Sequence, residues 1–156
     1  MSDNPYHYTN CGLDYVYLKN GYTIYETEEG GGVAIEGADG LHAAIARAIV
    51  TAPHILRGQE LRYLRSMLDI SQSGLGEVLG VSRPTIARWE GLPQEPISAS
   101  SDRTLRLFYA LKELGHEQAE IICDLLREID ELEFGPSLFE LEKDEEERWV
   151  PTPKAA

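Results

Sequence analysis

The spacing of apolar positions changes character along the chain and marks its elements. Between residues 6 and 36, Tyr, Val, Thr and Ile recur with a period of two: Tyr15 and Tyr17 fall on one side, Val16 and Leu18 on the other. This predicts a strand, a tight hairpin turn at Asn20-Gly21, where both residues tolerate positive φ, and a return strand over residues 22–26. Residues 28–32 read as a loop containing Gly30-Gly31-Gly32, and residues 33–35 as a third short strand.

From Leu41 onward the period becomes helical. Leu41, Ile45, Ala48 and Ile49 share a face behind Asp39, a good N-cap, and Pro53 stops this helix. A second helix places Leu61, Leu64 and Leu68 on its buried stripe, flanked by Arg62 and Arg65. Ser71 caps a third, from Gln72 to Leu79, with Leu75, Val78 and Leu79 inward. Gly80 supplies the left-handed residue that ends it, Val81 plugs the core, and Ser82 caps a fourth helix with Pro84 in its first turn. Ile86 and Trp89 face inward there. After the Pro/Ser loop of 91–101, Asp102 is placed to cap a helix carrying Leu105, Phe108, Leu111 and Leu114. A last helix runs from His116 to Phe134, with Ala119, Ile122, Leu126 and Ile129 on a broad apolar stripe. The tail, LEKDEEERWVPTPKAA, is expected to be largely disordered.

The fold expectation is therefore α+β: a small N-terminal β-sheet with a helix (1–54), an all-α five-helix helix-turn-helix domain (55–115), a C-terminal helix serving as a dimer seam (116–135), and an acidic tail (136–156).

Composition narrows the function. The 156 residues are 42% hydrophobic, enough for a packed core, and no apolar run approaches the roughly 20 residues of a membrane helix. The first residues, MSDNPYHYTN, lack the basic and apolar regions of a secretory signal, so a cytoplasmic location is expected. Two distant cysteines, Cys11 and Cys123, suit a reducing compartment. His7 and Cys11 form one pair without a second, so no metal is expected; no cofactor motif is present either, since the glycine run lacks a phosphate-loop ending. His7, His42, His54 and His116 share no helical face and no nucleophile-base set is visible, so the chain does not read as an enzyme.

The net charge of −13 is uneven: −5 over 1–54, +2 over 55–112 and −10 over 113–156. Counterion release depends on local cations, so the one basic segment keeps nucleic acid open as a partner. That segment holds the two short helices. A short helix pinned at a glycine turn projects its first turns into a major groove; Arg pairs with guanine, and Thr donates, accepts or touches a thymine methyl. The DNA-contacting set is Gln72, Ser73, Ser82, Arg83, Thr85 and Arg88. Arg103 and Arg106 suit either phosphate contact or a core-flanking role, and Glu90 an ion pair with Arg62 or Arg65.

Ile70-Ser71-Gln72, Leu75, Leu79-Gly80-Val81-Ser82, Thr85-Ile86 and Arg88-Trp89-Glu90 resemble the signature of Xre/lambda-repressor-like helix-turn-helix domains. The longer frame, residues 58–65 with 102–107, is similar to the DNA-binding half of MqsA-family antitoxins. The resemblance implies a homodimeric (auto)repressor on a palindromic operator in double-stranded DNA, with a toxin protein as a further partner. It departs from that family in lacking the two cysteine pairs of its N-terminal zinc module. The alternative reading is a protein-interaction adaptor that keeps the helix-turn-helix as a scaffold.

Overall fold

Val16, Leu18 and Leu141 are all buried, and all three belong to one mixed sheet. The computed structural model describes residues 4–127 and 139–153. It is α+β, and the chain divides into two compact units, residues 1–45 with 137–156 and residues 46–136.

In the first unit, β1 (Tyr6–His7), β2 (Val16–Leu18), β5 (Phe139–Lys143) and β6 (Trp149–Pro151) form a sheet in the order β1-β2-β5-β6. β2 runs antiparallel to β1 and parallel to β5, with Val16 opposite Phe139 and Leu18 opposite Leu141. β3 (Tyr22–Thr27) and β4 (Gly30–Ile35) make a separate two-stranded ribbon.

Three expectations are corrected in this unit. The turn at Asn20-Gly21 does not join two paired strands: β2 pairs with β1 and β5, while β3 pairs with β4. Gly21 does take positive φ (+75°), but Asn20 Oδ1 accepts the Lys143 backbone N–H at 2.7 Å, and a Cβ on Gly21 would stand 2.6 Å from the Trp149 ring. The edge that a hairpin partner would have taken belongs to a strand more than a hundred residues later. The glycine run is not a loop either, since Gly30–Ile35 is paired throughout. Residues 139–151 of the tail are largely strand: Leu141 and Trp149 are buried, and the Trp149 indole N–H donates to the Glu36 carbonyl at 2.9 Å. Two apolar anchors outweigh the acid run between them, which occupies the β5–β6 turn. The unit that contains β1–β4 also contains the C-terminal strands β5 and β6, and it divides from the second unit at residue 45. Residues 136–138 and 154–156 of the expected tail lie outside the described residues.

The helices are α1 (Ala38–Val50), α2 (Gly58–Leu68), α3 (Gln72–Leu79), α4 (Arg83–Glu90), α5 (Ala99–Tyr109) and α6 (His116–Leu125). α1 starts one residue before Asp39, which sits in its first turn and not at its N-cap. In the second unit Leu61, Leu64, Leu75, Ile86, Leu105 and Ile122 are buried.

On α5 the expected Asp102 cap is corrected, and of the two roles open to Arg106 the core one is taken, for one reason. Its N-cap is Ser98, whose hydroxyl accepts the Ser101 N–H at 3.3 Å; Asp102 lies inside the helix, fully buried. Arg106 is also fully buried and has no route to a phosphate. Its guanidinium donates to both Asp102 oxygens at 3.1 Å, to the carbonyls of Val50 (2.9 Å) and Ala52 (2.7 Å), and to that of His54. Asp102 Oδ1 in turn accepts the Leu56 N–H at 2.7 Å. The connection between α1 and α2 has backbone groups to satisfy inside the core, and this pair satisfies them.

Beyond Tyr109 a π-helical turn over Ala110–Leu114 changes the angular step. An α-helical stripe extrapolated through it misplaces Leu111, which is 54% exposed, while Tyr109 is buried. In α6, Ala119 and Ile122 are buried within their own unit, so the inner part of the stripe assigned to a dimer seam is already covered. The rest of the expected helix, residues 128–134 with Ile129, lies outside the described residues. No helix among the described residues is long and apolar enough to cross a membrane.

Candidate nucleic-acid interface

α3 and α4 meet at a three-residue turn whose backbone is set residue by residue. Ser71 caps α3, accepting the Gly74 N–H at 2.9 Å. Gly80 takes the left-handed conformation (φ +72°) and the Val81 N–H returns to the Gly76 carbonyl at 2.9 Å. Ser82 caps α4, accepting the Thr85 N–H at 3.3 Å, and Pro84 occupies the first turn of α4. Val81 is half-buried, a lesser plug than its sequence position suggests.

Two glycines, Gly76 and Gly58, allow the helices to approach. A Cβ on Gly76 would stand 2.7 Å from the Val81 carbonyl oxygen. One on Gly58 would overlap the Trp89 carbonyl, so only glycine lets the start of α2 meet the end of α4. The available signal for Gly76 was a glycine inside a helical pattern, disfavoured by about 1 kcal/mol unless something else requires it.

α4 is held by its inner side. Ile86 is buried and Trp89 half-buried. Glu90 receives two hydrogen bonds from Arg65, from Nε and Nη2, each 2.8 Å, and stands 4.0 Å from Arg62. Arg65 also donates to the Ile70 carbonyl at 3.1 Å, tying α2 to the segment before α3. Donating to the Glu90 carboxylate raises the pKa of the Arg65 guanidinium above its already high ordinary value. Of the two partners expected for Glu90, Arg65 makes the close pair; Arg62 is 69% exposed.

The outer side differs. Arg83 and Arg88 are exposed, and among the described residues neither makes an ion pair or hydrogen bond. Thr85 is half-buried and shares a hydrogen bond with Ser82 between hydroxyl oxygens 2.9 Å apart. Ser73 is exposed and Gln72 half-buried in the first turn of α3. All six residues of the expected set thus fall on the first turn of α3, the N-cap of α4 or α4 itself. Ser82 and Thr85 are partly committed to capping; Arg83 and Arg88 are uncommitted.

His7, Cys11 and His42 make hydrogen bonds within the chain. His7 Nε2 bonds the Asp14 carbonyl at 2.9 Å, and its ring stacks on Tyr17 with centroids 4.5 Å apart. Cys11 Sγ donates to the Tyr8 carbonyl at 3.4 Å, and burial pushes its thiol pKa up. His42 Nε2 bonds the Tyr8 hydroxyl at 2.8 Å, and burial pushes the imidazole pKa down. The described residues contain no group of three or more His, Cys, Asp or Glu able to hold a metal ion. Comparison of the chain with protein-family models, curated proteins and solved structures gives no match.

Proposed function

We propose that this chain is a sequence-specific DNA-binding transcription regulator of the Xre-like helix-turn-helix kind, with α4 as the helix that enters the major groove. One observation carries the reading. Arg83 and Arg88 are exposed and uncommitted on a helix whose opposite side is anchored by Ile86 and by the Arg65–Glu90 pair. Holding an arginine-bearing helix by its inner face alone serves recognition of something outside the chain.

In this reading Arg83 and Arg88 pair with base edges, guanine above all, and Thr85 contributes a methyl or hydroxyl contact. Ser73 and Gln72, in the first turn of α3, meet the sugar-phosphate backbone, aided by the positive end of the helix dipole. Ser82 keeps its capping role and sets the angle at which Arg83 leaves the turn.

Leu111 and Ile121, 54% and 50% exposed, suit a contact with a second copy. A two-fold dimer places its recognition helices one helical turn of DNA apart, about 34 Å, and reads an inverted repeat. Covering a promoter by such a dimer represses it by occlusion.

The test is selection of bound duplexes from a random DNA pool by the full chain, followed by titration of the selected site. An inverted repeat is expected, with affinity falling steeply as salt rises. Failure to enrich any sequence, or equal affinity of the Arg83→Ala, Arg88→Ala double variant, would overturn the proposal.

A further inference from the structure

The β3–β4 ribbon is paired without a bulge from Tyr22 opposite Ile35 to Thr27 opposite Gly30, and it reverses at Glu28-Glu29. Only its base is held. The Tyr22 ring lies 5.1 Å from that of Tyr6, the Glu36 N–H donates to the Gly21 carbonyl at 2.9 Å, and the Glu36 carbonyl takes the Trp149 indole. Every residue from Thr23 through Gly31 is exposed.

Tyr22, Gly32, Val33 and Ile35 are half-buried and no residue of the ribbon is fully buried; a two-stranded ribbon so little covered is marginal in water. Polar side chains would suit it, yet Ile24 and Tyr25 are 62% and 49% exposed, one on each face. Tyr25 lies over the backbone of Gly32, its cross-strand partner, where any Cβ would collide with the ring. The glycine thus gives the aromatic ring a platform and keeps it presented. Both strands also lack the lysines, prolines and bulges that usually blunt a free edge.

The charge of the ribbon selects the occupant. Residues 22–37 contain Glu26, Glu28, Glu29 and Glu36 and no Lys or Arg. Glu36 pairs with Lys143 at 3.7 Å, whereas Glu26, Glu28 and Glu29 make no ion pair among the described residues. Nucleic acid is repelled by such a surface, and a second ribbon would bring the same three carboxylates. A cationic protein is attracted.

We propose that the β3–β4 ribbon is a docking arm for a basic protein partner, which covers Ile24 and Tyr25 and sets Lys or Arg side chains against Glu26, Glu28 and Glu29. Backbone pairing along an open edge would add to the affinity. The inference uses no residue of α3 or α4 and stands apart from the DNA-binding reading.

The test places a photo-crosslinking benzoylphenylalanine in the full chain at Ala34, exposed beside Tyr25 on the same face, and at Glu117 on α6 as a control, in cells of the source. The crosslinked protein is identified, purified and titrated against the chain. One basic protein is expected, captured from position 34 and not from 117. Its affinity should fall about tenfold or more in the Ile24→Ser, Tyr25→Ser variant and in the Glu26→Lys, Glu28→Lys, Glu29→Lys variant. It should also fall with rising salt. The glutamates touch no packing, so the charge-reversed variant gives the answer even if the serine variant does not fold. Unchanged DNA affinity in a folded variant separates loss of docking from failure of the DNA-binding reading. Absence of an adduct, an adduct with a second copy, with nucleic acid or with an acidic or neutral protein, or a partner indifferent to both variants would overturn the proposal.

Discussion

α4 and α5 are neighbouring helices that each carry two arginines, and they use them in opposite ways. On α5, Arg106 is fully buried, spent on one carboxylate and three backbone carbonyls, and Arg103 donates to the Ala99 carbonyl at 3.2 Å. On α4, Arg83 and Arg88 are exposed and bond nothing among the described residues. The comparison teaches that an arginine's availability is decided by the carbonyls and carboxylates around it. On α5 the cation neighbours a connection that must bury its backbone; on α4 the hydrogen-bonding needs are met by Ser82 and Glu90, leaving the arginines for something else.

The largest expected effect breaks the α5 side of this comparison. Arg106→Ala strands Asp102 as a buried, uncompensated carboxylate and leaves three carbonyls short of a donor. A loss of about 3–5 kcal/mol in unfolding free energy is expected. Urea denaturation measures it, and a loss below about 1 kcal/mol would show that the guanidinium is not what holds the 50–56 connection. By contrast Arg83→Ala and Arg88→Ala should leave stability within about 0.5 kcal/mol, as exposed substitutions do.

The α4 side comes next. Arg83→Ala and Arg88→Ala should each weaken binding to a selected duplex by ~1–3 kcal/mol and relax preference at one base position. Fluorescence anisotropy on the selected site and on its single-base variants reads both. An Arg103→Ala control should do neither. If Arg103→Ala costs as much as Arg88→Ala, the division between the two helices collapses.

How much of this was legible follows the range of the interactions. The α3–turn–α4 arrangement was readable because Ser71, Gly80, Ser82 and Pro84 act within four residues of themselves, and local chemistry survives in any context. Glu90's pairing was readable to within two arginines, because helix faces limit what it can reach. The role of Arg106 was not, since its acceptors at 50, 52 and 54 lie some fifty residues away and backbone carbonyls leave no mark in a sequence. The β2–β5 pairing was hidden likewise. Alternation at 15–18 announces a strand, but its partner at 139–141 runs directly into a charge run that reads as solvated. The π-helical turn hid Leu111's exposure, because apolar periodicity assumes a constant angular step.

A smaller effect sharpens the geometry that presents α4. Gly80 sits at φ +72° with open space where a Cβ would stand, so Gly80→Ala adds backbone strain and no collision. A cost of about 1 kcal/mol is expected, with DNA affinity falling only as far as the turn relaxes. Gly80→Asn should recover part of the stability, since Asn tolerates the left-handed region. Equal melting temperatures for Ala and wild type would show that the turn adjusts freely and does not fix how Arg83 is presented.

The smallest effect lies in the frame behind both helices. Glu60 is buried in the first turn of α2; its Oε1 accepts the Arg57 N–H at 3.2 Å and Nε at 3.3 Å, while Oε2 has no hydrogen-bond partner among the described residues. Burial raises its pKa above the ordinary 4.5, and Arg57 opposes the rise without cancelling it. The folded chain therefore binds this proton more tightly than the unfolded chain, so protonation favours folding. The contribution is fully present below the ordinary pKa and is lost as pH rises through the raised folded value. Glu60→Gln keeps an oxygen for Arg57 and removes the titration. The gap between wild type and variant, read as urea midpoints at fixed pH steps from 4 to 8, should move in the variant's favour as pH rises through that window. A gap that stays constant would mean that Glu60 holds the same proton folded and unfolded. The frame beneath α4 would then rest on the Arg65–Glu90 and Asp102–Arg106 pairs alone, with no strain stored at the start of α2.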